Sequence, residues 1–217
     1  MLDIQLSPDG APTNNVPLLQ GLMALVARAG AMGFMDSERI TNLDAKTIAR
    51  VVGALQEQKL ASRMPLDIAP LMRTDAGDLD AATAKRMEAA VGELVNALGQ
   101  SPAPASEWAA MREVLGDESL CKLVGVSATS LRRYASNGRS TPQAVAERLH
   151  WVAMVVADLS GAYNTFGIRR WFERPRPQLD GKSPREALGE NWHVDSPVAE
   201  RVRLLAAVLS GAQPLAA

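Results

Sequence analysis

Asp117-Glu118-Ser119-Leu120-Cys121-Lys122-Leu123-Val124-Gly125-Val126-Ser127-Ala128-Thr129-Ser130-Leu131-Arg132-Arg133-Tyr134-Ala135-Ser136 has the residue types of two short helices meeting at a sharp corner. Leu120, Val124, Val126, Leu131 and Tyr134 fall at spacings that let two crossing helices share one small core, and Cys121 is small enough for a close helix contact. Gly125 stands where the corner needs positive φ, which glycine adopts without a Cβ penalty. Ser127 is placed to cap a second helix running from Ala128 to about Ala135. The exposed side of that helix then carries Thr129, Arg132 and Arg133, with Ser130 nearer its flank. A plain helical hairpin shares the glycine corner. The cap, the core positions and the arginine pair together match a helix-turn-helix, in which the second helix docks in the major groove of DNA. Arginine on that face can bond a guanine edge bidentately or neutralise a phosphate.

The charge distribution agrees with that reading, although the formal net charge of the whole chain is only -1. From Ser119 to Arg176 there are nine basic residues (Lys122, Arg132, Arg133, Arg139, Arg148, Arg169, Arg170, Arg174, Arg176) and three acidic ones (Glu147, Asp158, Glu173), a local balance of +6. A localised basic footprint is the electrostatic signature of a nucleic-acid surface. The DNA-facing set expected from sequence is Ser127, Thr129, Ser130, Arg132, Arg133 and Arg139.

Outward from this segment the chain reads as all-α. Residues 1–17 hold Pro8, Gly10, Pro12 and Pro17 and read as a flexible lead. Residues 18–100 form a helical N-terminal region. It contains a short buried helix from Leu18 to Arg28, a helix capped by Asp44 and running to about Leu60, and a third from about Leu79 to Leu98. Ile48, Val51, Val52 and Leu55 make one face of the second; Met87, Val91, Leu94, Val95 and Leu98 make one face of the third. Ser101-Pro102-Ala103-Pro104-Ala105-Ser106 interrupts the pattern and suggests a boundary. Of the nine aromatic residues only Phe34 precedes it. Residues 106–160 would then form the helix-turn-helix region and 161–217 a second small helical unit, and a fragment starting near Ser106 is expected to fold alone. No stretch alternates apolar and polar residues as a strand would.

Beyond the corner motif, Thr141 and Pro142 read as cap and first position of a helix whose face is Val145, Leu149, Val152, Val156 and Leu159. Phe166 to Phe172 is a short amphipathic helix. Gly181 permits a tight turn, Ser183 and Glu186 form a capping box, and Pro184 takes the first helical position. A last helix, Val198 to Gly211, carries an apolar stripe of Val202, Leu205, Val208 and Leu209 expected to pack on Trp171 or Trp192.

This order of features resembles the Xre/MbcA/ParS antitoxin family over about residues 105–213. In that family a Trp-containing helix is followed by a Leu, a Gly turn and a Ser/Thr-Pro helix start, and a final helix ends near a Gly. Trp171, Leu179, Gly181, Ser183-Pro184 and Gly211 match those features in turn. The resemblance implies a protein that represses its own operon through operator DNA and neutralises a cognate toxin, commonly a RES-domain enzyme that consumes NAD, by plugging its active site. The toxin-facing residues it implies are Arg169, Trp171, Arg174, Leu179, Gly181, Ser183, Pro184, Leu205, Leu209 and Gly211. The first hundred residues are longer than in compact members of the family. With twelve acidic and nine basic residues they suit extra dimerisation surface better than DNA, so a homodimer or higher oligomer is expected.

Other classes find little support in the sequence. Gly181-Lys182-Ser183 has the tail of a phosphate-binding loop, but Arg176 stands where that motif needs glycine. His150 and His193 have no second ligand at metal spacing, and Cys121 falls at a buried motif position. Neither catalytic residues, a metal nor a cofactor are expected. Uncharged stretches are too short for a membrane span, Met1-Leu2-Asp3 lacks a basic leader, and one cysteine suits a reducing compartment, so the expected location is the cytoplasm. The alternatives are a stand-alone helix-turn-helix regulator whose C-terminal unit only dimerises or binds another protein, and a helical interaction protein that binds no DNA.

Overall fold

The computed structural model describes residues 13–35, 43–57, 67–73 and 79–210, and among these every regular element is helical. No helix among them is long and apolar enough to cross a membrane. The fold class expected from the sequence is the one observed.

The first helix, α1 (Val16–Ala31), starts earlier than its apolar run suggested. Asn15 caps it by accepting from the Leu18 N–H at 2.9 Å, Pro17 sits in its first turn, and Thr13 is buried. The end of the supposed lead therefore belongs to the core; residues 1–12 lie outside the described residues. Helix α2 (Ala45–Glu57) begins under Asp44, whose Oδ1 accepts from Thr47 N at 2.7 Å, and buries Ile48, Val51, Val52 and Leu55 as expected. Its expected continuation to Leu60 lies outside the described residues. A short α3 (Ala69–Arg73) follows. Helix α4 (Ala81–Gly99) is capped by Asp80 and buries Met87, Val91, Leu94 and Leu98, with Val95 half-buried.

Pro104 opens a helix where the sequence suggested a break in the helical pattern. Proline fixes φ near the helical value and its missing N–H is not needed at a helix start, so α5 spans Pro104–Leu115 and buries Glu107, Trp108, Met111, Val114 and Leu115. Helices α6 (Asp117–Val124) and α7 (Ala128–Ala135) follow, then α8 (Gln143–Ser160), against which α1, α5, α6, α9 and α11 all pack. Helix α8 buries nearly its whole circumference, including Leu149, Trp151, Val152, Met154, Val155 and Val156. Such a helix has no solvent face and needs neighbours on every side. Thr141 does not cap it. Pro142 is the cap residue, and the Thr141 hydroxyl instead accepts from Trp108 Nε1 at 3.0 Å.

Packing crosses the 101–106 segment. Helix α1 bridges α4 and α8, and the buried apolar residues of 18–98 and 108–206 form one continuous cluster. Two polar links cross as well. His150 on α8 sets Nδ1 2.6 Å from Glu107 Oε1 and Nε2 3.1 Å from the Gly99 carbonyl oxygen at the end of α4. Arg28 on α1 donates to the Val95 carbonyl and faces the carboxylate of Asp158 on α8. Burial pushes Asp158 above the usual carboxylate range, against the opposing pull of Arg28 and Arg203.

The C-terminal part comprises α9 (Thr165–Glu173), a 3-10 turn at Pro177–Leu179, α10 (Pro184–Leu188) and α11 (Pro197–Ala207), with a final 3-10 turn at Val208–Ser210. Asn164 caps α9, and the Ser183–Glu186 capping box of α10 is present in both directions. The last helix departs from expectation. Its buried face is Ala199, Val202 and Ala206; Leu205 is half-buried, while Val208 (71 %), Leu204 (42 %) and Leu209 (38 %) are exposed. The helix turns into 3-10 geometry at Val208, which shifts the register of the expected stripe. Gly211 lies outside the described residues.

Candidate nucleic-acid interface

The corner between α6 and α7 is built as its residues require. Gly125 adopts φ +74, ψ +44 and closes α6 with its N–H on the Cys121 carbonyl at 2.9 Å. Ser127 is extended, and its Oγ accepts from Ser130 N at 3.1 Å to cap α7. Leu120, Val124, Leu131 and Tyr134 are buried, and Val126 and Cys121 are half-buried against them. Burial pushes the Cys121 thiol up, so it carries no thiolate character at neutral pH.

Three contacts brace the pair from outside. Trp108 stacks on Tyr134 with ring centroids 5.9 Å apart. Arg112 grips Asp117 through Nε and Nη2, at 2.7 and 3.1 Å, and so ties the end of α5 to the start of α6; with that partner, Asp117 is held below the usual carboxylate range. Trp192 Nε1 donates to the Leu123 carbonyl oxygen at 2.8 Å, satisfying one of the open carbonyls at the end of α6. Two of these links, Trp108–Tyr134 and Trp192–Leu123, are not local in sequence, and only the aromatic enrichment hinted at them.

Thr129, Arg132 and Arg133 emerge on the exposed face of α7, over the buried Leu131 and Tyr134, and Arg139 is exposed on the loop that follows. Among the described residues none of these four side chains makes a hydrogen bond or ion pair. Ser127 and Ser130 are engaged with each other, hydroxyl to hydroxyl at 3.1 Å, and serve the cap. The structure thus gathers the expected DNA-facing set on one short helix and the loop after it.

No protein-family model, characterised protein or solved structure matches this chain.

The residues expected to face a toxin are placed differently. Trp171, Leu179, Ser183 and Pro184 are buried within the chain's own core, Trp171 edge-on to Phe172 at 5.2 Å and beneath the Arg176 guanidinium at 4.7 Å. They hold the C-terminal part together and are not a contact surface. Gly181 is exposed at φ +77, at the corner before α10. Arg169 is committed to the end of α5, donating from Nε to the Val114 oxygen at 2.6 Å and from Nη2 to the Glu113 oxygen at 3.1 Å. Arg174 is exposed, Leu205 half-buried and Leu209 exposed beside Val208. His150 has both ring nitrogens engaged in the buried Glu107–Gly99 link, and His193 lies exposed in the loop before α11.

Proposed function

We propose that this chain is a cytoplasmic, dimeric DNA-binding repressor of the antitoxin type, with α7 reading the operator and the C-terminal end capturing a protein toxin. The observation that carries the DNA-binding half is the exposed, unpaired Thr129–Arg132–Arg133 face of α7, joined to α6 through a left-handed glycine. A short helix with two free guanidinium groups over a buried base is suited to reach a base edge, because the arginines need break no internal bond to do so. The toxin-capturing half draws on the family resemblance and on the exposed apolar side chains Leu204, Val208 and Leu209.

The decisive experiment measures fluorescence anisotropy of DNA from immediately upstream of the coding sequence. Wild-type protein should bind it more tightly than scrambled duplex, and Arg132→Ala/Arg133→Ala should lose on the order of 2–6 kcal/mol of specific binding with helicity unchanged, at about 1–3 kcal/mol per good bidentate contact. No binding by the wild type, or unchanged binding by the double variant, overturns the proposal. Co-expression with the neighbouring gene product tests the second half: a complex that weakens on Leu204→Ser/Val208→Ser supports capture.

A stand-alone regulator is the second reading, favoured by one observation. Trp192 bonds Leu123, and the Glu190 carbonyl oxygen would lie 3.0 Å from a Cβ at Gly125, so the C-terminal part already braces the corner of α6 and α7. On this reading the neighbouring gene product forms no complex, and DNA binding is unaffected by its presence.

A further inference from the structure

Where the first turn of α6 meets α9, a groove of about 290 Å³ is lined by Ser119, Arg169, Arg170, Glu173, Arg174 and Pro175. Its charges sort by what already holds them. Arg169 is spent on the carbonyls of Glu113 and Val114. Glu173 is matched by Arg185, which donates from Nε to Oε1 at 2.8 Å and from Nη2 to Oε2 at 2.8 Å. The side chains of Arg170 and Arg174 are exposed and make no hydrogen bond or ion pair among the described residues; that of Arg170 lies only over the exposed ring of Phe166, 5.7 Å from its centroid. The acidic residues of the adjoining α6 turn are also matched, Asp117 by Arg112 and Glu118 by Lys122 at 2.6 Å. What remains is two unneutralised guanidinium groups and a serine hydroxyl in one concave strip.

The position of the strip gives it a meaning that its charge alone would not. When the second helix of such a pair enters the major groove, the first crosses the sugar–phosphate backbone. The first turn of α6 reaches this groove through Ser119. We propose that the α6–α9 groove seats the phosphate backbone of duplex DNA, with Arg170 and Arg174 as phosphate contacts outside the reading helix. The inference rests on the DNA-binding reading above. It assigns to DNA two arginines of a segment that the family resemblance gives to a protein partner. Phosphate contacts carry no sequence information, so this groove contributes affinity and register and leaves base choice to α7.

The test is the salt dependence of binding to two duplexes of about 30 bp, one from the upstream region and one of random sequence, a length that covers two half-sites a helical turn apart. Each phosphate contact contributes about 0.9 to the slope of log Kobs against log salt, so Arg170→Ala/Arg174→Ala should make the slope shallower by about 1.8 per bound protomer on both duplexes. The ratio of upstream to random affinity should stay as in the wild type, whereas Arg132→Ala/Arg133→Ala should collapse it. Arg170→Lys/Arg174→Lys keeps both charges and should restore the slope, which separates a charge contact from a damaged fold. If the wild type binds and the α7 variant loses specificity while the Arg170/Arg174 slope is unchanged, this inference fails and the DNA-binding reading stands. If the Arg170/Arg174 variant keeps its DNA slope and instead loses a co-expressed protein, the groove belongs to that partner. If the wild type binds neither duplex, both fall together.

Discussion

Removing residues 1–105 should abolish cooperative folding of the remainder. The fragment keeps α5 from Ser106 onward and all of α6 to α11, but α8 loses the helix that covers one of its sides. Full burial of a large aliphatic side chain is worth about 1.5–3 kcal/mol. If four of the buried residues along α8 lose half their cover, the loss is about 3–6 kcal/mol by the same scale. His150 also loses the Gly99 carbonyl that accepts from Nε2, at about 1–3 kcal/mol for a buried donor left without a partner. Asp158, already pushed up by burial, loses the favourable charge of Arg28. The total, about 4–9 kcal/mol, is comparable with the entire stability of an ordinary domain, about 5–15 kcal/mol. Urea denaturation followed by far-UV and near-UV circular dichroism checks this: the fragment should show helical signal without a sharp transition, or should be recovered only as an aggregate. A soluble monomer with a single cooperative transition near the wild-type midpoint would refute the reasoning and restore the boundary suggested by Ser101 to Ser106.

Glu107→Ala should destabilise the whole chain by about 1–3 kcal/mol, since it leaves His150 Nδ1 buried without a hydrogen-bond partner. Glu107→Gln keeps a donor and an acceptor there and should cost far less; equal losses for the two in chemical denaturation would show that the pair is not linked. Gly125→Ala should cost about 2 kcal/mol, of which about 1–2 kcal/mol is the left-handed conformation itself. The rest arises because the new Cβ would stand 3.0 Å from the Glu190 carbonyl oxygen, and an unchanged denaturation midpoint would contradict the backbone geometry. Glu186 is held below the usual carboxylate range by the backbone N–H of Ser183 and then by its hydroxyl. A depressed folded value means its contribution is present above the unfolded value, about pH 4.3, and is lost as pH falls through the folded one. The stability difference between wild type and Glu186→Gln should therefore be constant near neutrality and shrink below about pH 4; a difference that grows on acidification would reverse the assignment.

What was legible in the sequence is what local chemistry decides. Gly125, Ser127 and the spacing of Leu120, Val124 and Leu131 define the α6–α7 corner within a few residues, and Asn164 or Ser183 caps its helix with a side chain three positions away. The same local signal is present in α5. Trp108, Met111 and Leu115 recur at three- and four-residue steps behind a proline suited to a first turn, yet the Pro-Ala-rich run reads as a boundary. Burial was the harder matter. Trp171, Leu179 and Pro184 were expected to meet a partner, but a tryptophan's neighbours are set by chain segments far along the sequence. Here they are supplied by the chain itself. His150 and Glu107 are separated by 43 residues, and no spacing rule connects them.

The basic segment shows why counting charge is not enough to define a surface. Of its nine cations, Lys122 is matched by Glu118, Arg148 bonds the Ala144 carbonyl, Arg169 closes the end of α5 and Arg176 lies over Trp171. Its acidic residues are also spoken for, Glu147 by Gln143 and Glu173 by Arg185, while Asp158 faces Arg28 inside the fold. Five cations are left without a hydrogen bond or ion pair among the described residues: Arg132, Arg133, Arg139, Arg170 and Arg174. The net balance of the segment overstates what can meet DNA by including buried and bonded groups, and it hides that the remaining five lie in two places, around α7 and along α9. At about 0.9 of slope per neutralised phosphate, five cations set a ceiling near 4.5 per protomer on the salt dependence of binding. A steeper slope per protomer would require cations from elsewhere in the chain, and the N-terminal region, with more acidic than basic residues, is poorly suited to supply them.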